Sequence, residues 1–204
     1  MFKTENFTIL TKKFYSRPVL TVARDLLGKI LVSVEGNKLL SGRIVEVEAY
    51  DGRVDEAAHS FIGKTERNEV MFREGGYFYV YFTYGVHHCC NIVTGKKNHG
   101  TAVLIRAIEP VDGIDIMAKR RFGKNKITNK EIINLTNGPG KICQAFDFTR
   151  KDSGTDLTGS EIFLLDQPRL NRNKIGISER IGITKSKELK WRFFEIGNPY
   201  LSRK

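Results

Sequence analysis

Apolar and polar positions alternate with the two-residue period of a strand through much of the first half of the chain. KILVSV (29–34) and the stretch 38–50 both read as strands, and EGN (35–37) between them reads as a turn, so the three predict a hairpin. YFYVYFTYG (77–85) repeats the signal. A tight turn and a return through HCCNIV (88–93) follow, and GKKNHG (95–100) turns again into TAVLIRAIE (101–109). Pro18 to Leu27 carries helical spacing, with Pro18 suited to the first turn and Gly28 to the stop. Residues 51–76 are polar and contain glycine; a connection of that length is often functional. After Pro110 the pattern changes. VDGIDIMAKRR reads as an amphipathic helix, KEIINL as a second helical segment, and NGPGKICQAF (137–146) as a turn feeding a helix that Pro139 starts. EIFLL (161–165) and WRFFEI (191–196) predict two short strands. With no internal repeat and no linker, the expectation is a single α+β domain over 1–204, with a largely antiparallel sheet and surrounding helices.

Within the returning strand, GRIVEVEAY (42–50) poses a chemical question. Side chains of a strand alternate faces, so Glu46, Glu48 and Tyr50 share one face while Val45, Val47 and Ala49 share the other. Taken alone, this is the pattern of a half-buried strand with a solvated acidic face.

Composition narrows the class. A chain of 204 residues, 40% hydrophobic and 28% charged, can bury one sizeable core and is not disordered. MFKTENFTIL has no apolar h-region, no stretch approaches the length of a membrane span, and Cys89, Cys90 and Cys143 make no disulfide framework. A cytoplasmic, nucleoid-associated protein without membrane partners is therefore expected. Net charge changes the picture more. At +11, with a pI near 9.6, the chain falls in the range of nucleic-acid binders. Lys119, Arg120, Arg121, Lys124 and Lys126 form one basic cluster and Arg169, Arg172 and Lys174 a smaller one, and the first is expected to contact phosphates.

Several motifs then stand in order: VEVEAY with AAHS, YVYFTYG, NGPGKICQAF, and the closing RIGI with WRFFEIGNPYLS. Each is weak by itself. Together, from about residue 18 to 202, they resemble the alkyladenine (3-methyladenine) DNA glycosylase family, here a bacterial member. The resemblance implies a monofunctional base-excision enzyme. It would flip a damaged purine out of duplex DNA (3-methyladenine, 7-methylguanine, hypoxanthine or ethenoadenine) and hydrolyse the N-glycosidic bond to leave an abasic site. No cofactor or metal is implied, and the partner is double-stranded DNA, bound by a monomer.

The resemblance also implies roles. Glu48 matches the carboxylate that activates water; spacing alone does not choose between it and Glu46, which would then be structural. Tyr50, His59 and Tyr81 match base-pocket residues, and Asn91 matches an amide that can reject the amino group of guanine. Tyr77 and Tyr79 read as ordinary sheet packing. Tyr84, before Gly85 at the apex of a protruding hairpin, matches the wedge that enters the minor groove. Arg106 matches an arginine that holds a phosphate or positions the water, and Lys141, at a helix start, suits a phosphate. GVHHCC after the wedge departs from the bulkier residues more usual there. Its consecutive residues face opposite ways in a strand, which argues against convergence on a metal. Two other readings share some of these features. A non-catalytic DNA-binding module would use the basic surface and hairpin but gives no reason for Glu48 beside Tyr50, and a glycosylase–lyase would need an amine nucleophile.

Overall fold

The computed structural model describes residues 8–83, 85 and 87–203. Tyr84 and Val86, and with them the expected wedge, lie outside the described residues. β1 (Ile30–Glu35) and β2 (Lys38–Asp51) make the first expected hairpin. Gly36 takes φ +58° in its turn, where a side chain would be strained. β3 (Phe78–Thr83) and β4 (His87–Thr94) make the second, paired as far out as Thr83 and His87. β5 (Thr101–Asp112), β6 (Ile162–Leu165), β7 (Ile175–Ser178) and β8 (Arg192–Glu195) complete one curled sheet. Its strands run β3-β4-β5-β2-β1-β6, with β8 on β2 and β7 on β8, and every pairing is antiparallel.

β2 is the strand on which the others depend. It is long enough that one of its edges takes β1 over residues 38–43 and then β8 over residues 46–48. β5 covers the other edge, with register shifts around Gly42 and on either side of Glu46. β5 also outlasts its expected end: it runs through Pro110, which pairs with Gly42 beside one of those shifts. A proline cannot donate to the ladder, so a bulge is where a strand tolerates it. The following helix accordingly begins later than the sequence pattern suggested.

Among the described residues there are five α-helices: α1 (Lys12–Tyr15), α2 (Val19–Leu26), α3 (Ile114–Phe122), α4 (Asn129–Leu135) and α5 (Pro139–Phe146). α1 and β7 are four-residue elements, too short for a period to register in the sequence. α4 is fixed by a capping box: Thr128 Oγ1 accepts from the Glu131 N–H, and a Glu131 carboxylate oxygen accepts from the Thr128 N–H at 2.9 Å. α5 starts on Pro139, whose missing N–H is one the first helical turn does not need.

The sheet separates two environments. On one face Val47, Ala49, Phe78, Val80, Ile92, Val103 and Ile105 pack with Leu26, Met117, Ile142 and Phe146 of the helices, all fully or almost fully buried. Full burial of each such side chain contributes about 1.5–3 kcal/mol. The alternate residues (Glu46, Glu48 and Tyr50 of β2, Tyr79 and Tyr81 of β3, Ala102 and Leu104 of β5) look the other way, where a smaller cluster of Val70, Met71, Tyr79, Val93 and Ala102 packs. Among the described residues no helix is long and apolar enough to cross a membrane.

A methyl group on Gly42 would stand 2.2 Å from Ile108 Cγ2 and 2.9 Å from the Glu109 carbonyl oxygen. Gly42→Ala is therefore expected to destabilise the fold by about 1–3 kcal/mol through overpacking at the β2–β5 bulge. Chemical denaturation should show a lower midpoint at unchanged slope. An unchanged midpoint would mean that β2 and β5 are not pressed together there.

Candidate active site

Over the second face of the sheet lies a cavity of about 550 Å³, a size typical of a small-molecule site. Tyr50 of β2, Tyr79 and Tyr81 of β3, Cys89 and Asn91 of β4, and Leu104 and Arg106 of β5 form its wall. His59 and Met71 come from the 51–76 connection, and residues 181–185 come from the segment between β7 and β8. The strand period explains the wall: Tyr79 and Tyr81, Cys89 and Asn91, and Leu104 and Arg106 are all i, i+2 pairs on one face. The connection reaches the cavity because Asn68, itself buried, donates from Nδ2 to the His59 and Gly63 carbonyls at 2.8 and 3.0 Å.

The acidic face expected to be solvated is sealed instead. Glu46 and Glu48 are both 0% exposed. β5 and β8 flank β2 at these positions and the chain beyond β8 closes over them, which leaves neither carboxylate a surface open to bulk solvent. Glu46 Oε1 accepts from Arg106 Nε at 3.2 Å, Arg192 Nε at 2.8 Å and Ser202 Oγ at 2.8 Å, and Oε2 accepts from the Ser202 N–H at 2.6 Å. Glu48 Oε1 accepts from the Ile181 N–H at 2.7 Å; its Oε2 accepts from Tyr50 Oη at 2.8 Å and Arg106 Nη1 at 3.2 Å. One guanidinium thus bridges two carboxylates. Burial pushes the Glu48 pKa up and Glu46 adds to the rise, while Arg106, the Ile181 N–H and the Tyr50 hydroxyl oppose it; the net direction is upward. Arg106, Tyr50 and Ile181 all line the cavity, so Glu48 sits directly behind its wall.

The aromatic side chains are held in place and uncharged. His59 meets Tyr81 edge-on, with ring centroids 4.4 Å apart, and Tyr79 lies 5.6 Å from Tyr81. Tyr79 Oη is 3.5 Å from His59 Nδ1, long for a hydrogen bond. Desolvation, and then the Arg67 charge, keep the His59 pKa below its ordinary value, so the ring is neutral at neutral pH. Burial pushes Tyr79 up to about 12 and raises Tyr50 and Tyr81 as well, so all three phenols keep their protons. The Cys89 thiol beside Tyr81 is likewise pushed up by burial to about 11 and stays protonated. Asn91 donates from Nδ2 to the Tyr79 carbonyl at 3.1 Å, which fixes the orientation of its amide in the wall. The Arg180 guanidinium lies 4.6 Å from the Tyr50 ring centroid and is paired with Asp55; neither of the two side chains is exposed.

Of the residues singled out from the sequence, Glu48, Tyr50, His59, Tyr81, Asn91 and Arg106 come together at this cavity. Arg106 is directed inward onto Glu46, Glu48 and Ser202. Lys141 is not part of the wall; its Nζ is held by the side-chain oxygens of Asn134 and Asn137, although Pro139 nearby does line the cavity. Tyr79, read as sheet packing, belongs to the wall as well as to the packing. Within the basic cluster at 119–126, Lys119, Lys124 and Lys126 are exposed, and three of the five cations have partners inside the protein. Arg120 pairs with Glu35, Arg121 is taken up by the Leu135 carbonyl and the Gln144 side chain, and Lys124 pairs with Glu131. Sequence reasoning missed Asp55, Arg180, Ile181 and Leu104. Leu104 was accessible through its i, i+2 relation to Arg106, whereas RIGI gave no hint that a backbone N–H would be the functional group. Among the described residues no three metal-ligating side chains cluster.

Residues 13–199 match the family model described as methylpurine-DNA glycosylase. A protein of Alkaliphilus oremlandii is 48% identical over 96% of this chain and 99% of its own length. Relatives from Clostridium novyi and Chlorobium phaeovibrioides are each 47% identical, over 96% and 95% of this chain and 98% and 96% of their own lengths. All three carry the name "Putative 3-methyladenine DNA glycosylase".

Glu46 accepts four hydrogen bonds and is the shared anchor of two arginines. Glu46→Ala leaves Arg106 and Arg192 facing each other without it, and is expected to destabilise the protein by about 3–5 kcal/mol, the range for breaking a buried pair. Thermal or chemical denaturation measures this. A loss below about 1 kcal/mol, the range of a surface ion pair, would show that water reaches this site.

Proposed function

Because the chain belongs to the methylpurine-DNA glycosylase family, we propose that it is a monofunctional DNA N-glycosylase that receives a flipped, damaged purine in the aromatic cavity and hydrolyses its N-glycosidic bond with water activated by Glu48. The observation that carries this reading is a fully buried carboxylate, braced by Arg106, directly behind a cavity walled with neutral aromatic rings. A catalytically silent DNA-binding module has no need of a carboxylate buried there at the expense of stability.

The chemistry follows from the residues. A base inside the duplex is out of reach, so it is extruded into the cavity and stacked on Tyr50 and Tyr81 with His59 at its edge. His59, being neutral, adds no positive charge of its own against a cationic base such as 3-methyladenine or 7-methylguanine, and the tyrosine faces attract it. Asn91, its amide oriented by the Tyr79 carbonyl, serves in this reading to reject the exocyclic amino group of guanine. As the glycosidic bond breaks, its electron pair goes to the base nitrogen. A cationic base leaves neutral, whereas hypoxanthine or ethenoadenine needs a proton as it departs. The sugar develops positive charge, which the Glu48 carboxylate stabilises, and the attacking water gives its proton to Glu48. Of the roughly four acceptor positions of a carboxylate, three are occupied here. The remaining one is on Oε1, beside Ile181 in the cavity wall, and is the place for the water. Arg106 favours the ionised carboxylate against the desolvation that opposes it.

DNA affinity in this reading comes from the net charge of +11. Lys141, at the start of α5, contributes a phosphate contact, and Tyr84, in sequence between the paired Thr83 and the turn residue Gly85, is the wedge that fills the space left by the flipped nucleotide.

Glu48→Gln is expected to bind a duplex carrying one hypoxanthine nearly as well as the parent, while single-turnover excision falls by roughly 10²–10⁴-fold. The parent's rate should rise with pH as Glu48 ionises, with a midpoint above the roughly 4.3 of an unperturbed glutamate. Excision by Glu48→Gln at the parent's rate would remove Glu48 from the mechanism. Tyr84→Ser should leave the melting temperature unchanged and lower the flipped fraction reported by a stacking-sensitive fluorescent base in the duplex; equal flipping would assign the hairpin another task.

A further inference from the structure

Arg180 and Asp55 form an ion pair with no exposed side-chain surface, yet neither lines the cavity. Such a pair needs an explanation, because desolvating two charges offsets most or all of their attraction, and apolar residues of equal volume often serve stability as well or better. Arg180 is used as a fork. Nη1 donates to Asp55 Oδ2 and to the Ala49 carbonyl at 3.1 Å; Nη2 donates to Asp55 Oδ1 at 2.8 Å and to the Ser186 carbonyl at 3.2 Å. Nε is buried with no partner among the described residues. The guanidinium carbon sits 4.6 Å from the Tyr50 ring centroid and 5.6 Å from that of Trp191. One group thus ties together three stretches of chain: the link between Glu48 and Tyr50, the start of the 51–76 connection, and the segment that carries residues 181–185 into the cavity wall. A looser tie runs in parallel: the Glu56 N–H donates to Ser186 Oγ, and Lys185 pairs with the Glu56 carboxylate.

The residue after Arg180 is Ile181, whose N–H reaches Glu48 Oε1 at 2.7 Å. We infer that Arg180, clamped by Asp55, is a positioning residue for the reaction: it holds the Ile181 N–H on Glu48 and sets the ring of Tyr50 on which the base stacks. The inference rests on Glu48 as the base. It ties the protonation of the carboxylate and the placing of the purine to a single guanidinium, so the two fail together when the fork is lost. The groups facing Glu48 are Arg106 of β5, Tyr81 of β3, Tyr50 and Glu46 on its own strand, Arg192 of β8 through Glu46, and Arg180. A lysine at 180 keeps the charge among these groups and removes only the planar fork, which a single ammonium cannot replace across three carbonyl and carboxylate partners.

The test compares the parent, Arg180→Lys and Glu48→Gln on a duplex with one hypoxanthine, following the single-turnover rate against pH. Arg180→Lys should bind the duplex within a few-fold of the parent. Its plateau rate should fall about ten- to a hundred-fold from misplacement, and its acid limb should move up by about one pH unit as Glu48 loses a hydrogen bond to its ionised form. In the unaltered protein, the NMR shift of the Ile181 amide proton should titrate with the same midpoint as the acid limb, and that titration should vanish in Glu48→Gln. If Arg180→Lys fails to fold, this titration decides alone. A folded Arg180→Lys with the parent's acid limb, or a flat Ile181 shift in the parent, overturns the inference while Glu48→Gln remains inactive. An active Glu48→Gln overturns the reading of Glu48 itself, and the inference with it.

Discussion

Two carboxylates are buried on the same face of one strand, and much of the architecture answers that single demand. Glu46 and Glu48 cannot stay ionised away from water unless positive charge and N–H donors converge on them. Arg106 arrives from β5, Arg192 from β8, the Ile181 N–H from the segment between β7 and β8, and Ser202 from beyond β8. This accounts for the otherwise odd pairing in which short β8 takes over the edge of β2 where β1 leaves it. The two acids then diverge in their surroundings. Glu46 accepts four hydrogen bonds from arginines and a serine, a structural anchor, whereas Glu48 keeps an acceptor position next to the cavity.

The sheet separates these demands from ordinary folding. One face buries aliphatic and aromatic side chains against α2, α3 and α5, and its burial supplies most of the stabilisation. The other face can therefore carry polar groups, and a phenol, amide or thiol there is held by fixed partners. Parity decides which residues fall where: Cys90 goes to the helical core and Cys89 to the cavity, although they are neighbours in sequence.

What was legible in the sequence follows physical lines. Strands β1 to β5 were readable because a two-residue period over six or more positions is distinctive; the same parity placed Glu48 with Tyr50. Of the four-residue strands, β6 and β8 were readable as apolar runs whereas β7, interrupted by Gly176, was not, and β5 outran its expected end because a bulge accommodates Pro110. The burial of the acidic face was not legible, since local alternation looks the same whether water or a second layer of chain covers it. Nor was the Arg180–Asp55 pair, 125 residues apart in sequence, or the role of Ile181, which acts through a backbone N–H that every non-proline residue possesses. The ties made by the cluster at 119–126 were not legible either. Charge in sequence does not reveal which arginines are already spoken for, and Arg120 and Arg121 brace α3 against Glu35 and Gln144.

The return of residues 180–202 onto β2 has a consequence for the order of events at synthesis. A ribosome releases β2 with its two acids long before it makes Arg180, Ile181, Arg192 and Ser202. Until those arrive, the carboxylates have only Arg106 and the Tyr50 hydroxyl among these partners, and β2 cannot take its final cover. A nascent chain can thus gather its helical core while the surroundings of Glu46 and Glu48 are still incomplete. The cover of β2 is then a part of the sheet that synthesis completes late, because its donors lie in residues 180–202.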